Sequence, residues 1–420
     1  MAIPVRYFRT SLTGGTDFCL DNIDGSRLNN GDTAIVVASG VSYEYWLNAS
    51  SGATENSPLV ITPDTNSGNK RWLLVDITAN NYSGRNAIIN GDFNIWQRGT
   101  SFAAIVNNAY AVDRFQYGLS GAAVHTLSQD TDVPTQVQSG HKSNYSLKVD
   151  CTTVDASIAA ADYVMIIQNI EGYNFAPFMG KTATLSFWVK ATKTGIYCVS
   201  FVNSALDRSY IVEYTIYTTN TWEKKTITLT FSDSAGTWNY TTGIGLRLFW
   251  QLVTGSNHQG ASNVWNTTSV WATSNQVNAC DSTDNNFWLS QVQFELGSVA
   301  TPFEYEQFGD TLVKCQRYYE KSYNHADAPA TSTENGAIQF TDPLAAGENF
   351  LRYCVAKRAA PTMTGYSTTG AAAKFRDLTS GADFDIIFSD IGESGCHVSF
   401  ATSGAADELK AYHYTASAES

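Results

Sequence analysis

The chain has 420 residues, of which 13% are aromatic and only 15% charged, below the roughly one quarter usual for soluble domains. That length allows roughly two to four domains with cores of their own. The Ser-, Thr-, Asn- and Gly-rich remainder excludes a helical bundle or a disordered chain, and a formal net charge of −13 argues against nucleic acid or anionic lipid as partner.

The N-terminus, Met1-Ala-Ile-Pro-Val-Arg-Tyr7, has no apolar signal region, and no later apolar run reaches membrane-spanning length. The expectation is a protein neither secreted by the general route nor inserted in a membrane. Seven cysteines lie far apart with no C-x-x-C and no His at ligand spacing, so buried free thiols in a reducing cytosol are expected.

Residues 1–84 read as a small β module. Thr33–Ser39, Tyr43–Leu47, Leu59–Thr62 and Arg71–Ile77 are its strands, with Asp24-Gly25, Asn30-Gly31, Ser51-Gly52 and Ser67-Gly68 as turns. A polar linker is expected at 80–84.

From 86 to 306 strand-length runs recur with turn-length gaps: 113–118, 145–151, 163–169, 183–190, 196–202, 208–216, 223–231 and 244–252. Asn86–Phe93 and Asn286–Gly297 read as the strands that open and close the domain, the second alternating Phe287, Leu289, Gln291 and Gln293 with Trp288, Ser290, Val292 and Phe294. Such a series of short strands predicts an all-β jelly-roll sandwich. Residues 307–322 form the one convincing helix, with Leu312, Cys315, Gln316 and Tyr319 on one face. Residues 323–420 return to strands, at 337–340, 349–353, 362–366, 384–389, 397–400 and 409–416, as a C-terminal β domain.

Candidate binding residues are loop aromatics: Trp238 and Tyr240 in 234–243, and Trp265 and Trp271 in the long segment 254–286. An aromatic ring beside Asn, Gln or Asp suits the apolar C–H face of a sugar, and loops this long are often functional. The bland alternative is that these rings plug the sandwich or an interface, as aromatics commonly do. Trp188, Trp250 and Trp288 lie within strands and are expected in the core. Six scattered histidines form no catalytic or metal motif. Asp281 with Asp284 and Asp383 with Asp385 are close enough to suggest a glycan-cleaving pair, yet Asp at such spacing belongs to turns. Binding without catalysis is the expectation.

The opening Asn86, Asn90, Gly91, Asp92 and Phe93, with the ending Phe294, Glu295, Leu296 and Gly297, resembles carbohydrate-binding jelly-roll modules. In many of those a paired Asp in the closing strand holds calcium; Ser290 and Gln291 stand in that place here, and no metal or other cofactor is expected. A tighter resemblance is to phage and prophage tail fibre proteins. It rests on Asn90–Phe102, Tyr110-Ala-Val-Asp-Arg-Phe115, Gln293–Phe308, Cys315-Gln-Arg-Tyr-Tyr-Glu-Lys-Ser322, Lys357–Thr364 and Tyr412–Ala416. The N-terminal module is similar to the head ends of such fibres. The resemblance implies a homotrimeric virion appendage, assembled in the host cytoplasm, joined to other virion proteins through residues 1–84. It would bind a host-surface glycan or protein. A capsid decoration or head fibre, and a free-standing carbohydrate-binding protein, are the alternatives.

Overall fold

The computed structural model describes residues 4–38, 41–78, 84–231, 235–342, 348–400 and 408–419. The linker expected at 80–84 lies, except for Gly84, outside the described residues. The chain divides into two compact units. One is Met1–Arg85 with Thr182–Thr184 and Glu295–Thr301; the other is Asn86–Lys181, Leu185–Phe294 and Pro302–Ser420.

In the first unit, β1 (Arg6–Arg9), β2 (Thr33–Ala38), β3 (Val41–Asn48), β4 (Val60–Ile61) and β5 (Arg71–Thr78) form one sheet in the order β1-β2-β3-β5-β4. Along β3 the residues Val41, Tyr43, Tyr45 and Leu47 are buried and those between them are not, the period of two required of a strand covered on one side. Trp72, Leu20 and Val36 complete this core. The strand β1 was not expected. It pairs in parallel with β2, and the Asp32 carboxylate fixes its entry by accepting from the backbone N–H of Val5 and of Asn29, each at 2.8 Å.

The second unit begins with β6 (Ser101–Phe102), β7 (Phe115–Ser120), β8 (Val124–Asp130), the single turn α1 (Gln136–Ser139), β9 (Ser146–Thr153) and β10 (Tyr163–Glu171). The turn α2 (Gly172–Phe175) leads to β11 (Thr182–Ala191), β12 (Gly195–Asn203), β13 (Ser209–Ile216), β14 (Glu223–Thr230), β15 (Ile244–Thr254), β16 (Trp265–Asn266) and β17 (Asn286–Leu296). They make two six-stranded sheets, β16-β13-β12-β15-β10-β7 and β14-β11-β17-β9-β8-β6. Aromatic rings lock the sheets face to face: Phe187 of β11 meets Trp250 of β15 edge-on at 5.9 Å, and Phe287 of β17 meets Tyr197 of β12 at 5.9 Å. The protein is all-β, and these strands form a jelly-roll sandwich.

The opening segment is not a strand. Residues 86–93 run beside β17 with only occasional main-chain bonds, from Ala87 N to Phe294 O and from Val292 N to Gly91 O, both 2.9 Å. Side chains supply the rest. Asn86 Oδ1 accepts from Phe294 N, and Asn90 Oδ1 accepts from Ile95 N while its Nδ2 donates to Ile95 O and Asp113 O. Asn90 and Phe93 have φ of 63° and 54°, which no ladder permits. Gly91 is required because a Cβ there would sit 2.1 Å from Val292 O.

The alternation of β17 also breaks. Phe287 meets Tyr197 and Phe294 meets Phe201 at 5.8 Å, although Tyr197 and Phe201 share one face of β12 and Phe287 and Phe294 are seven apart. Gln291, at φ 47°, is the extra residue that reverses the parity, as a bulge does. Its amide nitrogen, Nε2, donates to Ser139 Oγ at 3.0 Å and to Ser143 Oγ at 2.9 Å. The residue thus ties the 131–145 loop to the strand.

The helix is shorter than its pattern implied. α3 spans Phe308–Gln316, and Tyr319, instead of closing its apolar face, begins β18 (Tyr319–Lys321). Its register partner is the last strand, which takes Tyr319–Lys321 against Ser417–Thr415. The remaining strands are β19 (Ile338–Asp342), β20 (Glu348–Arg352), β21 (Thr362–Tyr366), β22 (Lys374–Asp377), β23 (Ala382–Ser389), β24 (Gly395–Phe400) and β25 (Glu408–Ser417). They share an eight-stranded sheet in which β25 pairs with β18, β19, β21 and β22. All seven cysteines are free thiols; six are buried and Cys354 is exposed.

Candidate functional site

Three of the four candidate aromatics lie together. β10 ends at Glu171, and α2 then turns beside the loop 235–243: Gly172 N donates to Gly243 O at 2.8 Å and Tyr173 N to Thr241 O at 3.0 Å. A Cβ on Gly172 would meet Thr241 N at 2.6 Å, so the close approach needs glycine. Asn239 Oδ1 accepts from Thr241 N at 2.8 Å. At the loop's start the Asp207 carboxylate accepts from Asn203 Nδ2 and from Thr237 N. The bond from Asn203 foremost, then that from Thr237, holds this carboxyl below its ordinary range.

On this frame Trp238 stacks on Phe175 (5.2 Å, 23°) and meets Trp265 edge-on (5.9 Å, 81°), while Trp265 lies 5.2 Å from Tyr210. Phe231 fills the floor below both indoles. Trp238 and Trp265 are half-buried, and their indole N–H groups reach only long acceptors, Ala235 O at 3.4 Å and Thr230 O at 3.3 Å. Tyr240 is 41% exposed, and Tyr173, on the turn bonded to the same loop, is 57% exposed. Tyr173 was missed in the sequence because Gly172-Tyr-Asn-Phe175 follows a strand buried along nearly its whole length without a break. The turn-forming Gly-Tyr-Asn is the signal that marks it. The arrangement offers ring faces beside the amide of Asn239 and the hydroxyls of Thr237 and Thr241, the chemistry that holds a sugar ring.

Trp271 does not join them. It is buried, stacked on His258 at 4.0 Å and packed with Met165, Ile167, Val202 and Phe249, because Trp271 N bonds back to His258 O at 2.7 Å and folds that part of the segment onto β15 and β10. As a ligand contact it is withdrawn. Trp250 is fully buried between the sheets. Trp188 and Trp288 are buried with Trp222 in a separate cluster, on the face of β11 and β17 turned away from Phe187 and Phe287. There the Lys190 ammonium lies 4.0 Å from the Trp288 ring centre, and Asp130 and Asp132 accept the indole N–H of Trp288 and Trp222, each at 2.9 Å.

Three of the four paired carboxylates are engaged with cations. Asp281 is ion-paired with Lys193 and accepts from Asn285 Nδ2. Asp383 is paired with Arg376 at 3.0 Å and Asp385 with Lys374 at 2.6 Å. Among the described residues no group of three or more His, Cys, Asp or Glu could hold a metal ion. The position that the resemblance gives to paired Asp is filled by Ser290 and by the bulge residue Gln291.

The residues that carry the resemblance to tail fibres meet one another. Gln97 donates to Asp113 and to Tyr319 O at 2.8 Å, and the Arg98 guanidinium lies 3.6 Å above the Tyr319 ring. Arg114 lies 3.5 Å above Tyr318 and is ion-paired with Glu419. Arg317 and Tyr318 both donate to Glu171, at 2.7 and 2.6 Å. Lys357 and Glu320, both fully buried, pair at 2.6 Å. Arg358 donates to Ala418 O at 2.6 Å and to Thr242 O, in the aromatic loop, at 2.9 Å. These motifs hold the fold together.

No family model and no curated protein matches the sequence. Among solved structures the chain is similar to the enzymatically active domain of tailspike protein 4 of bacteriophage CBA120, with 14% identity over 46% of this chain and 21% of that one, at a TM-score of 0.26. It is likewise similar to a family 4 carbohydrate-binding module (16% identity, 50% of this chain and 99% of that one, TM-score 0.27). A family 11 carbohydrate-binding module from Clostridium thermocellum matches at 10% identity over 48% of this chain and 99% of that one, at a TM-score of 0.24. The chain thus spans about a fifth of the tailspike domain's length, and likenesses at these TM-scores carry no argument about what it does.

Proposed function

We propose that this protein is a non-catalytic virion component, a homotrimeric tail fibre that recognises a host-surface glycan or protein during adsorption. The aromatic surface at 173 and 235–243 carries the binding half of this reading: Tyr173 and Tyr240 are exposed on the turn and the loop that also carries Trp238, which packs with Trp265 and Phe231, and amide and hydroxyl groups lie in the same loop. The fibre half is supported by the resemblance of residues 90–115, 293–322 and 357–416 to tail fibres. Residues 1–84 then attach the fibre to other virion proteins. Weak sites repeated threefold act through avidity.

Light scattering on the full chain tests the assembly. A trimer of the 45.8 kDa chain has 3 × 45.8, about 137 kDa; a monomer overturns the fibre and leaves a free-standing glycan-binding protein. Adsorption of labelled protein to candidate host cells, lost when Tyr173 and Tyr240 are changed to Ala, tests the surface.

A further inference from the structure

A second site lies within the same unit, where the opening segment, the 141–144 loop and residues 303–314 enclose a cleft of about 90 Å³, room for several water molecules. Asp92 forms its base. The carboxylate accepts from Ser143 Oγ and from Asn94 Nδ2 at 3.0 Å, and it pairs with His141 Nε2 at 3.0 Å. The wall is aromatic: the Phe303 ring lies 4.9 Å and the Tyr305 ring 6.3 Å from the imidazole of His141.

Tyr305 is 73% exposed yet sits on a fixed support. Glu304 N donates to Gln293 Oε1 at 2.7 Å, the Glu304 carboxylate accepts from Asn86 N at 2.8 Å, and Gln293 Nε2 reaches Pro302 O at 3.3 Å. A large ring open to solvent next to a backbone segment bonded at residues 302 and 304 is preorganised for a ligand.

The lining selects the ligand's chemistry. Asp92, Glu304 and Glu306 share the lining with Lys142 and Lys314, so groups of both signs face the cleft and it lacks the one-signed field that captures an anion or a cation. Glu306 is already ion-paired with Lys314. Asn94, Asn144 and the exposed Lys142, which makes no ion pair among the described residues, present amide and ammonium groups at the rim. Directional polar groups with an exposed ring and little net charge fit a neutral, polyhydroxylated six-membered ring. We infer that the cleft between Asp92, His141 and Tyr305 is a second saccharide subsite, taking one uncharged hexose unit with its C–H face on Tyr305 and its hydroxyls on Asn94 and Asn144. The inference rests on the glycan-binding reading but uses none of the residues of the aromatic loop.

The test is titration of the full-length protein with neutral gluco-, galacto- and manno-oligosaccharides, followed by calorimetry and saturation-transfer NMR. Tyr305→Ala and Asn144→Ala, both at exposed positions, should melt as the parent does. Tyr305→Ala is expected to weaken one binding event by roughly tenfold or more, Asn144→Ala to weaken the same event by less, and Tyr240→Ala to leave it intact. Parent affinity for every sugar in Tyr305→Ala, with binding lost in Tyr240→Ala, overturns the cleft and leaves the aromatic loop standing. Absence of sugar binding in the parent overturns both.

Discussion

Two regions of the second unit set aromatic rings against polar groups and end in opposite conditions. Around Tyr318 and Tyr319 the rings are covered by guanidinium groups at 3.5 and 3.6 Å, and the charges are paired, buried Arg114 with Glu419 and half-buried Arg317 with the buried Glu171. Around Trp238 and Trp265 the rings pack on other rings, their N–H groups have long acceptors, and Tyr240 of the same loop is exposed. An aromatic whose face and polar atom are both taken is part of the scaffold. One with a face still open is available to a ligand. The Trp188, Trp222 and Trp288 cluster, closed by Lys190 and two aspartates, belongs with the first kind.

The comparison breaks first where charge is most deeply buried. Arg114→Met takes from the buried Glu419 the more deeply buried of its two cations and leaves it only Arg98 at 3.2 Å, a loss of up to about 3 kcal/mol. Urea denaturation is expected to show that loss, and Arg114→Met with Glu419→Gln should recover part of it. Trp288→Ala, by removing a buried indole, is expected to cost about 3–5 kcal/mol, with glycan binding per folded molecule unchanged. Loss of binding without loss of stability in Trp288→Ala would place the ligand on the wrong cluster.

Protonation gives the next largest effect. The His125 ring is buried, with the Tyr117 hydroxyl 2.7 Å from Nδ1 and Cys280 Sγ 3.6 Å from Nε2. Burial pushes its pKa from 6.5 down to about 4. As pH falls the unfolded chain therefore takes up the proton first. Stability is full above about 6.5, declines between 6.5 and 4, and levels off below, for a total of about 3 kcal/mol from this residue. His325 and His413, both lowered chiefly by burial, add to the decline with the same sign. His125→Gln is expected to flatten the pH dependence of the denaturation midpoint; an unchanged slope would show that the ring is hydrated in the folded protein.

The strands of the sandwich were legible because their runs alternate or are rich in apolar and aromatic residues, and tertiary pairing agrees with both patterns. What failed to show is what depends on distant partners. The apolar spacing of Leu312, Cys315 and Tyr319 is genuine helical spacing, yet β25 claims the backbone of Tyr319–Lys321 and ends the helix early. Asn86–Phe93 alternates like a strand, but Asn86 and Asn90 do by side chain what a ladder does by backbone. Trp265 and Trp271 sit six residues apart in similar Ser-, Thr- and Asn-rich surroundings. Only the return of Trp271 N to His258 O separates the half-buried one from the buried one. The same holds for the motifs that resemble tail fibres: their residue types announced importance, and the structure shows that importance to lie in mutual packing.

The smallest change in stability should accompany the clearest change in binding. Tyr240 is on the surface and outside every buried cluster described above, so Tyr240→Ala is expected to alter folding stability by no more than about 0.5 kcal/mol. If its ring covers a sugar face, the same substitution weakens binding by roughly tenfold, about 1.4 kcal/mol. Tyr240→Phe keeps the ring and should retain most of the affinity, which separates stacking from a hydrogen bond to the hydroxyl. Trp271→Ala is the control in the opposite direction, since it empties a packed site and should unfold the protein more readily while acting on binding only through folding. Calorimetric affinities and melting temperatures of these three variants place each ring on one side of the comparison or the other. A Tyr240→Ala protein that binds as the parent does would move the ligand away from the aromatic loop and leave the Tyr305 cleft as the remaining surface for it.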